Sequence, residues 1–176
     1  MKLSLLQENV SLALSHTSRF VASKIQLPIL NHILFSTDKG RLKLSATNLE
    51  LGINYWLGAK IEEEGSLCLP AKEITEFVSY LPAGRLDLSL KNDNILTLSS
   101  NKTESNFACL PSADFPQIPS LDPKTAFEID LPILTQAINQ IAFAAATDDS
   151  RPILTAILCT FSSTELNLVA TDGFRL

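Results

Sequence analysis

Histidine, cysteine and glycine are scarce in this chain: two, three and six among 176 residues. His16 and His32 have no cysteine or carboxylate at a ligand or triad spacing, so they read as a solvated and a strand-packed imidazole rather than as metal ligands or bases. Cys68, Cys109 and Cys159 lie far apart beside apolar or small neighbours, which excludes a zinc knuckle or a disulfide framework and predicts buried free thiols. The scattered glycines form no phosphate-cradling loop, and neither a metal nor a cofactor is expected. No basic leader opens the chain and no apolar run approaches the roughly 18 to 20 residues of a membrane span, so a soluble, cytoplasmic protein with no membrane partner is expected. Positive charge is in deficit too: 14 basic residues against 19 acidic give a net charge of −5, which argues against simple nucleic-acid binding unless the basic residues are concentrated.

What the chain does have is an internal repeat. PILNHILFSTDKGRLKLSAT, residues 28 to 47, returns without a gap as PILTAILCTFSSTELNLVAT, residues 152 to 171, with nine of twenty positions identical. The match is positional: each copy opens on Pro-Ile-Leu, continues with a second apolar pair, and closes on Leu-x-Leu-x-Ala-Thr. Such self-similarity marks a duplicated structural unit. The second copy stops at Leu176 while the first continues to Pro111, so a fragment cut inside its second domain is expected.

Periodicity places the elements. Lys2 to Leu6 alternates as a strand, and Val10, Ala13, Leu14, Thr17 and Val21 then share one helical face, with Arg19 on the wet side. Strands are predicted at Ile33–Phe35 and Leu42–Ala46 around an Asp38-Lys39-Gly40 turn, then at Leu51–Leu57 and Ser66–Leu69, with Glu62-Glu63-Glu64 a solvated loop. Pro70 opens a second helix with Ile74, Phe77, Val78 and Leu81 inward, and the leucines between 86 and 98 form a hairpin before a last strand at Phe107–Leu110. The pattern restarts with a strand at Phe127–Leu131 and a helix whose Leu134, Ala137, Ile138, Ile141 and Ala145 face inward. These readings give α+β domains at 1–111 and 125–176, joined by an extended, proline-rich connection at 112–124.

Candidate chemistry is thin. Thr171-Asp172-Gly173 follows a strand, where Asp172 is either a catalytic carboxylate in an interdomain cleft, as in a hydrolytic or transfer enzyme, or the acceptor of an ordinary turn. A repeat-built scaffold with no DNA role is a further alternative. Composition and spacing favour no enzyme.

Six motifs together narrow the reading: LPIL at 27 to 30, Ala46-Thr47-Asn48-Leu49-Glu50, Leu69-Pro70-Ala71-Lys72, LPSADFP at 110 to 116, Arg151-Pro152-Ile153-Leu154-Thr155, and VATDGFRL at 169 to 176. In order and spacing from Met1 to Leu176, the chain resembles the bacterial DNA polymerase III β-subunit (sliding clamp) family. The resemblance implies a DNA clamp fold, with repeated domains, antiparallel sheets outside and helices lining the inner face. It implies no catalysis of its own: a processivity factor that encircles double-stranded DNA as a homodimer ring and tethers the polymerase III catalytic subunit, the clamp loader and other proteins carrying clamp-binding peptides. Asn48 stands where Asp is usual and Phe174 where His is common.

A closed ring needs only weak, salt-screened phosphate contacts, which reconciles the acidity with DNA. By resemblance Lys24, Lys72 and Arg151 match basic positions, and Arg19 joins them as a candidate. The uncharged face of Thr135, Gln136, Asn139 and Gln140 suits a surface that must not grip. The resemblance also assigns Leu154, Thr171, Gly173, Phe174, Arg175 and Leu176 to a partner-peptide groove, and Lys102, Glu104 and Phe107 to an edge strand that forms the dimer interface.

Overall fold

The computed structural model describes residues 1–22, 27–91, 94–101, 103–119, 128–148, 150–162 and 164–176. Along the chain these form β1 (Lys2–Leu6), α1 (Gln7–Thr17), β2 (His32–Asp38), β3 (Arg41–Thr47), β4 (Gly52–Gly58), β5 (Lys60–Glu63), β6 (Ser66–Pro70), α2 (Ala71–Tyr80), β7 (Arg85–Lys91), β8 (Ile95–Ser100), β9 (Thr103–Ala108), α3 (Leu131–Ile141), β10 (Leu158–Phe161) and β11 (Leu166–Val169). They fall into two compact units, Met1–Ser120 and Leu121–Leu176.

In the first unit two antiparallel sheets, ordered β5-β1-β7-β8-β9 and β4-β3-β2-β6, share one core with both helices. Alternation decides which side chains enter it. Ile33 and Phe35 of β2, Leu42 and Leu44 of β3, and Leu67 and Leu69 of β6 point inward to meet Val10, Leu14, Ile74 and Val78 from α1 and α2. Each such side chain contributes about 1.5 to 3 kcal/mol by leaving water. Gln7, buried at the start of α1, donates from Nε2 to the Val78 carbonyl at 2.8 Å and so ties the two helices together without an unsatisfied amide. Beside β6, Cys68 and Leu110 exchange both backbone hydrogen bonds, at 2.9 and 3.0 Å, in an isolated bridge that links the sheet edges.

Several expectations need correction. Residues 60 to 63 form β5, an edge strand on which Glu62 pairs with Lys2 at 2.8 Å; only Ile61 is apolar there, so a charged edge strand hid as a loop. α1 ends at Thr17, and Arg19 belongs to the following 3-10 turn, Ser18–Phe20. The proline-rich stretch does not start as a free connection at 112. A 3-10 turn at Ser112–Asp114 brings Phe115 into a second cluster with Ile29, Leu30 and Cys68, because the outward faces of β2 and β6 carry apolar surface that needs a cover.

The second unit repeats the first at a constant offset of 124, over a longer stretch than the sequence alone reveals. Its helix α3 spans 131–141 against 7–17 for α1, and the Pro152–Thr155 turn copies Pro28–Asn31. Leu158↔Val169, Cys159↔Leu168, Thr160↔Asn167 and Phe161↔Leu166 reproduce Leu34↔Ser45, Phe35↔Leu44, Ser36↔Lys43 and Thr37↔Leu42. Two departures stand out. Residues 128–130 are not a strand and Leu131 begins α3, while Phe127 lies outside the described residues; β1 is held between β5 and β7, whose counterparts are absent from the described second unit. Cys159, expected buried, is exposed: it is the counterpart of the core residue Phe35, and among the described residues its sheet has two strands. For the same reason Leu134, Ala137, Ile141 and Ala145 are half-buried and Ile138 is exposed.

Candidate functional site

The second unit's candidate surface is built on the turn that leaves β11. Thr171 donates from Oγ1 to the Arg175 carbonyl at 2.6 Å and accepts from the Gly173 N–H at 3.0 Å. Asp172 Oδ1 accepts from the Phe174 and Arg175 N–H groups at 2.9 and 3.0 Å, and its Oδ2 accepts from Arg175 Nε at 2.8 Å. Both carboxylate oxygens are therefore committed. The Phe174 N–H leads the effects that hold the Asp172 carboxyl below its usual range, with the Arg175 N–H and guanidinium adding to it. Gly173 takes φ +90°, a left-handed conformation that glycine adopts without strain, and the turn leaves Phe174 98% exposed.

Across from this turn, Pro152–Thr155 presents Leu154. Leu154, Gly173 and Phe174 line one cavity of ≈ 420 Å³ together with Arg151, Asp148 and Ser150. A second, of ≈ 220 Å³, is lined by Leu176, Phe143, Ile141 and Leu168. Arg175 places its guanidinium carbon 5.8 Å from the Phe143 ring centre, a cation–π contact that orients the segment between the cavities. The structure thus brings Leu154, Gly173 and Phe174 together, sets Leu176 in the neighbouring hollow, and gives Thr171 and Arg175 to the turn's own bonds. Sequence reasoning missed Asp148 and Phe143. Asp148 accepts from the Ser150 hydroxyl, which heads the causes that lower its carboxyl, and from the Ser150 N–H. Its signal was an Asp-x-Ser loop. Phe143 is an exposed aromatic just past a helix end, the counterpart of Arg19 by the 124 offset.

Of the predicted phosphate contacts, Lys72 is exposed on the first turn of α2, and the 3-10 turn carrying Arg19 packs against that helix. Arg151 is exposed but lines the ≈ 420 Å³ cavity, so the groove and phosphate expectations overlap there. Among the described residues no carboxylate pairs with Arg19, Lys72 or Arg151. Lys24 lies outside the described residues. Thr135, Gln136, Asn139 and Gln140 line a shallow, uncharged face of α3.

β9 is an edge of its sheet, as an interface strand requires. Glu104 is exposed on it and accepts from Lys91 Nζ at 3.2 Å. Phe107 needs correction as an interface side chain: it is 9% exposed and meets Phe77 edge-on at 5.4 Å, because the pleat turns it into the core. Lys102 lies outside the described residues.

Comparison with known proteins identifies the family of the two units. The family model for the N-terminal domain of the DNA polymerase III beta subunit matches residues 1–119, and that for its central domain matches 128–176. The beta sliding clamp of Synechocystis sp. is 32% identical over 184 residues, covering all of this chain and 47% of the relative; that of Synechococcus elongatus is 33% identical over 179 residues, covering all of this chain and 48% of the relative. The chain therefore spans about half the length of the curated relatives it matches. The crystal structure of the Bacillus subtilis sliding clamp superposes with a TM-score of 0.93 at 25% identity, over 98% of this chain and 47% of that one. The Thermotoga maritima beta subunit gives 0.86 at 30% identity, over 98% and 47%. With both family models matched in order on a chain whose two units repeat helix, hairpin and turn, the chain belongs to the DNA polymerase III beta-subunit family of sliding clamps.

Proposed function

We propose that this chain supplies the first domain and part of the second of a sliding clamp, a processivity factor that encircles duplex DNA and tethers the replicative polymerase. The observation that carries the reading is the repeat at constant offset: a ring is made from copies of one domain, and here helix, hairpin register and turn recur 124 residues apart. Lys72 and Arg151, with Lys24 and Arg19, supply weak phosphate contacts, and the uncharged face of α3 lets DNA slide. The cavities beside Leu154, Phe174 and Leu176 receive the apolar anchors of peptides from the polymerase, the clamp loader and other partners. The edge strand β9, with Glu104 and Lys102, joins two chains into the ring.

The protein acts as a tether rather than a catalyst. Asp172, on which an enzymatic alternative depends, has both oxygens engaged by its own turn and its carboxyl held ionised, so it is poorly placed to exchange a proton. The test is topological. The full-length protein, loaded on a nicked circular plasmid, should stay bound through gel filtration in high salt and be released once the plasmid is cut. Retention that is indifferent to cutting would refute encirclement.

A further inference from the structure

The outward face of the four-stranded sheet carries a cavity that none of the surfaces described above uses. Register sets its floor: Leu34, Ser45 and Asn54 stand opposite one another across β2, β3 and β4. Lys43, two residues before Ser45 on β3, shares their face one row on, opposite Trp56. The wall is the stretch after β9. Ser112 is tied to Ser66, hydroxyl to hydroxyl at 2.7 Å, and Phe115 is buried on Ile29, Leu30 and Cys68. Ile118 lies over Gly52, its Cγ2 only 3.2 Å from where a Cβ at residue 52 would stand. Pinned at both ends, this wall bounds a cavity of ≈ 380 Å³, within the range of small-molecule sites. It lies within the first unit and shares no lining residue with the cavities beside Leu154 and Leu176.

The lining is of two kinds. Leu34, Phe115 and Ile118 are apolar, while Lys43, Asn54 and Gln117 are polar. The Ser45 hydroxyl, on a residue 2% exposed, donates to Asn54 Oδ1 at 2.6 Å. That bond engages the acceptor end of the Asn54 amide and leaves its N–H pair without a partner among the described residues. Lys43 is half-buried, and among the described residues no carboxylate lies within ion-pair distance of it. Its ammonium rests 5.9 Å from the centre of the Trp56 ring, which is itself held by the 2.7 Å bond from Nε1 to Asp38 Oδ2. A half-buried cation placed by an aromatic face rather than by an anion is short of a counter-charge, and an unengaged amide donor lines the same cavity. The complement of this pair is an acceptor that carries negative charge. One negative charge matches one lysine, whereas a dianion would add surplus charge to a chain already at −5.

We propose that this cavity binds a small free monocarboxylic acid with an apolar body. The carboxylate meets Lys43 and the Asn54 amide, and the body packs against Leu34, Phe115 and Ile118. Gln117, exposed at the rim, adds a further donor. The site is independent of DNA and of the peptide groove, since it draws on neither set of residues.

Fluorine NMR on the full-length protein tests this, with 4-fluorophenylacetate as the probe and 4-fluorophenylacetamide, the same body without the charge, as the control. Wild type should bind the acid saturably with a Kd on the order of a few millimolar, as befits so small a ligand. The amide should bind roughly ten-fold more weakly, and Lys43→Gln should weaken the acid by about the same factor while leaving the amide unchanged. Leu154→Ala with Phe174→Ala should alter neither. Absence of saturable acid binding overturns the proposal, and so does equal binding of acid and amide by wild type. Acid binding that survives Lys43→Gln, or that Leu154→Ala with Phe174→Ala abolishes, places the probe outside this cavity and overturns it as well. If Lys43→Gln does not melt as wild type does, Ile118→Ala, which removes part of the apolar wall, is read by the same titration. It should weaken acid and amide alike, and unchanged binding of both overturns the proposal.

Discussion

Asn48 and Asp172, 124 positions apart, hold their turns with the same pair of hydrogen bonds. Asn48 Oδ1 accepts from the Glu50 and Leu51 N–H groups at 3.0 and 2.7 Å, and Asp172 Oδ1 accepts from Phe174 and Arg175 at 2.9 and 3.0 Å. Thr47 and Thr171 match as well, each donating to a carbonyl four residues on, at 2.7 and 2.6 Å. What the position requires is an oxygen acceptor two residues before the N–H it braces, and an amide serves as well as a carboxylate.

Asp172→Asn should therefore leave the fold and peptide binding unchanged, while Asp172→Ala, which removes the acceptor, should loosen the turn and weaken binding. The carboxyl sits below its ordinary value in the folded chain, so its contribution is present above the unfolded value of about 3.9 and is lost as pH falls through the lower folded value. The amide resonances of Phe174 and Arg175, followed by NMR from neutral pH downward, should shift in that acid window in wild type and not in Asp172→Asn. An identical titration in both proteins would remove Asp172 as the brace.

Phe35 and Cys159 occupy equivalent places on their hairpins, one buried and the other exposed. Phe35→Ala should cost about 3 to 5 kcal/mol in denaturant unfolding, with Cys159→Ala near neutral. In the 176-residue chain a thiol reagent should modify Cys159 at once. Cys109 is buried, and Cys68 is buried with its thiol pushed up to about 12 by burial, so both should react only on unfolding. Three fast thiols in the native chain would contradict the core described above.

Replacing Lys24, Lys72 and Arg151 with Ala in the full-length protein should weaken DNA binding and flatten its salt dependence by about 0.9 for each phosphate no longer neutralised. Fluorescence anisotropy across a salt series measures the slope. An unchanged slope would place these residues away from the DNA.

Leu154→Ala combined with Phe174→Ala should reduce the affinity of a polymerase-derived peptide for the full-length protein by a few kcal/mol, the loss of anchor burial at a central pocket, with no change in melting temperature. Isothermal calorimetry reads the affinity. Undiminished binding would move the groove elsewhere.

Local chemistry made much of this legible. The Asp38-Lys39-Gly40 turn, with Lys39 and Gly40 both at positive φ, forms the hairpin its residues demand, and Leu81 is extended because Pro82 follows it. Periodicity likewise identified α2 and the leucine hairpin. β5 was not legible, since its order comes from pairing with β1 at the far end of the unit's sequence, Lys2 opposite Glu63, and not from its own composition.

The sequence by itself determined the duplication, the turn chemistry at Asn48 and Asp172, and hence that two copies of one unit exist; these depend on residues within a few positions of one another, where propensity and side-chain acceptors decide the backbone. Tertiary structure alone decided that Phe107 enters the core rather than the edge surface and that Phe115 and Ile118 fold back over Leu30 and Gly52. The reason is that exposure belongs to a pair of surfaces: a segment far along the chain covers Leu30 and Gly52, and no local pattern around either residue records it.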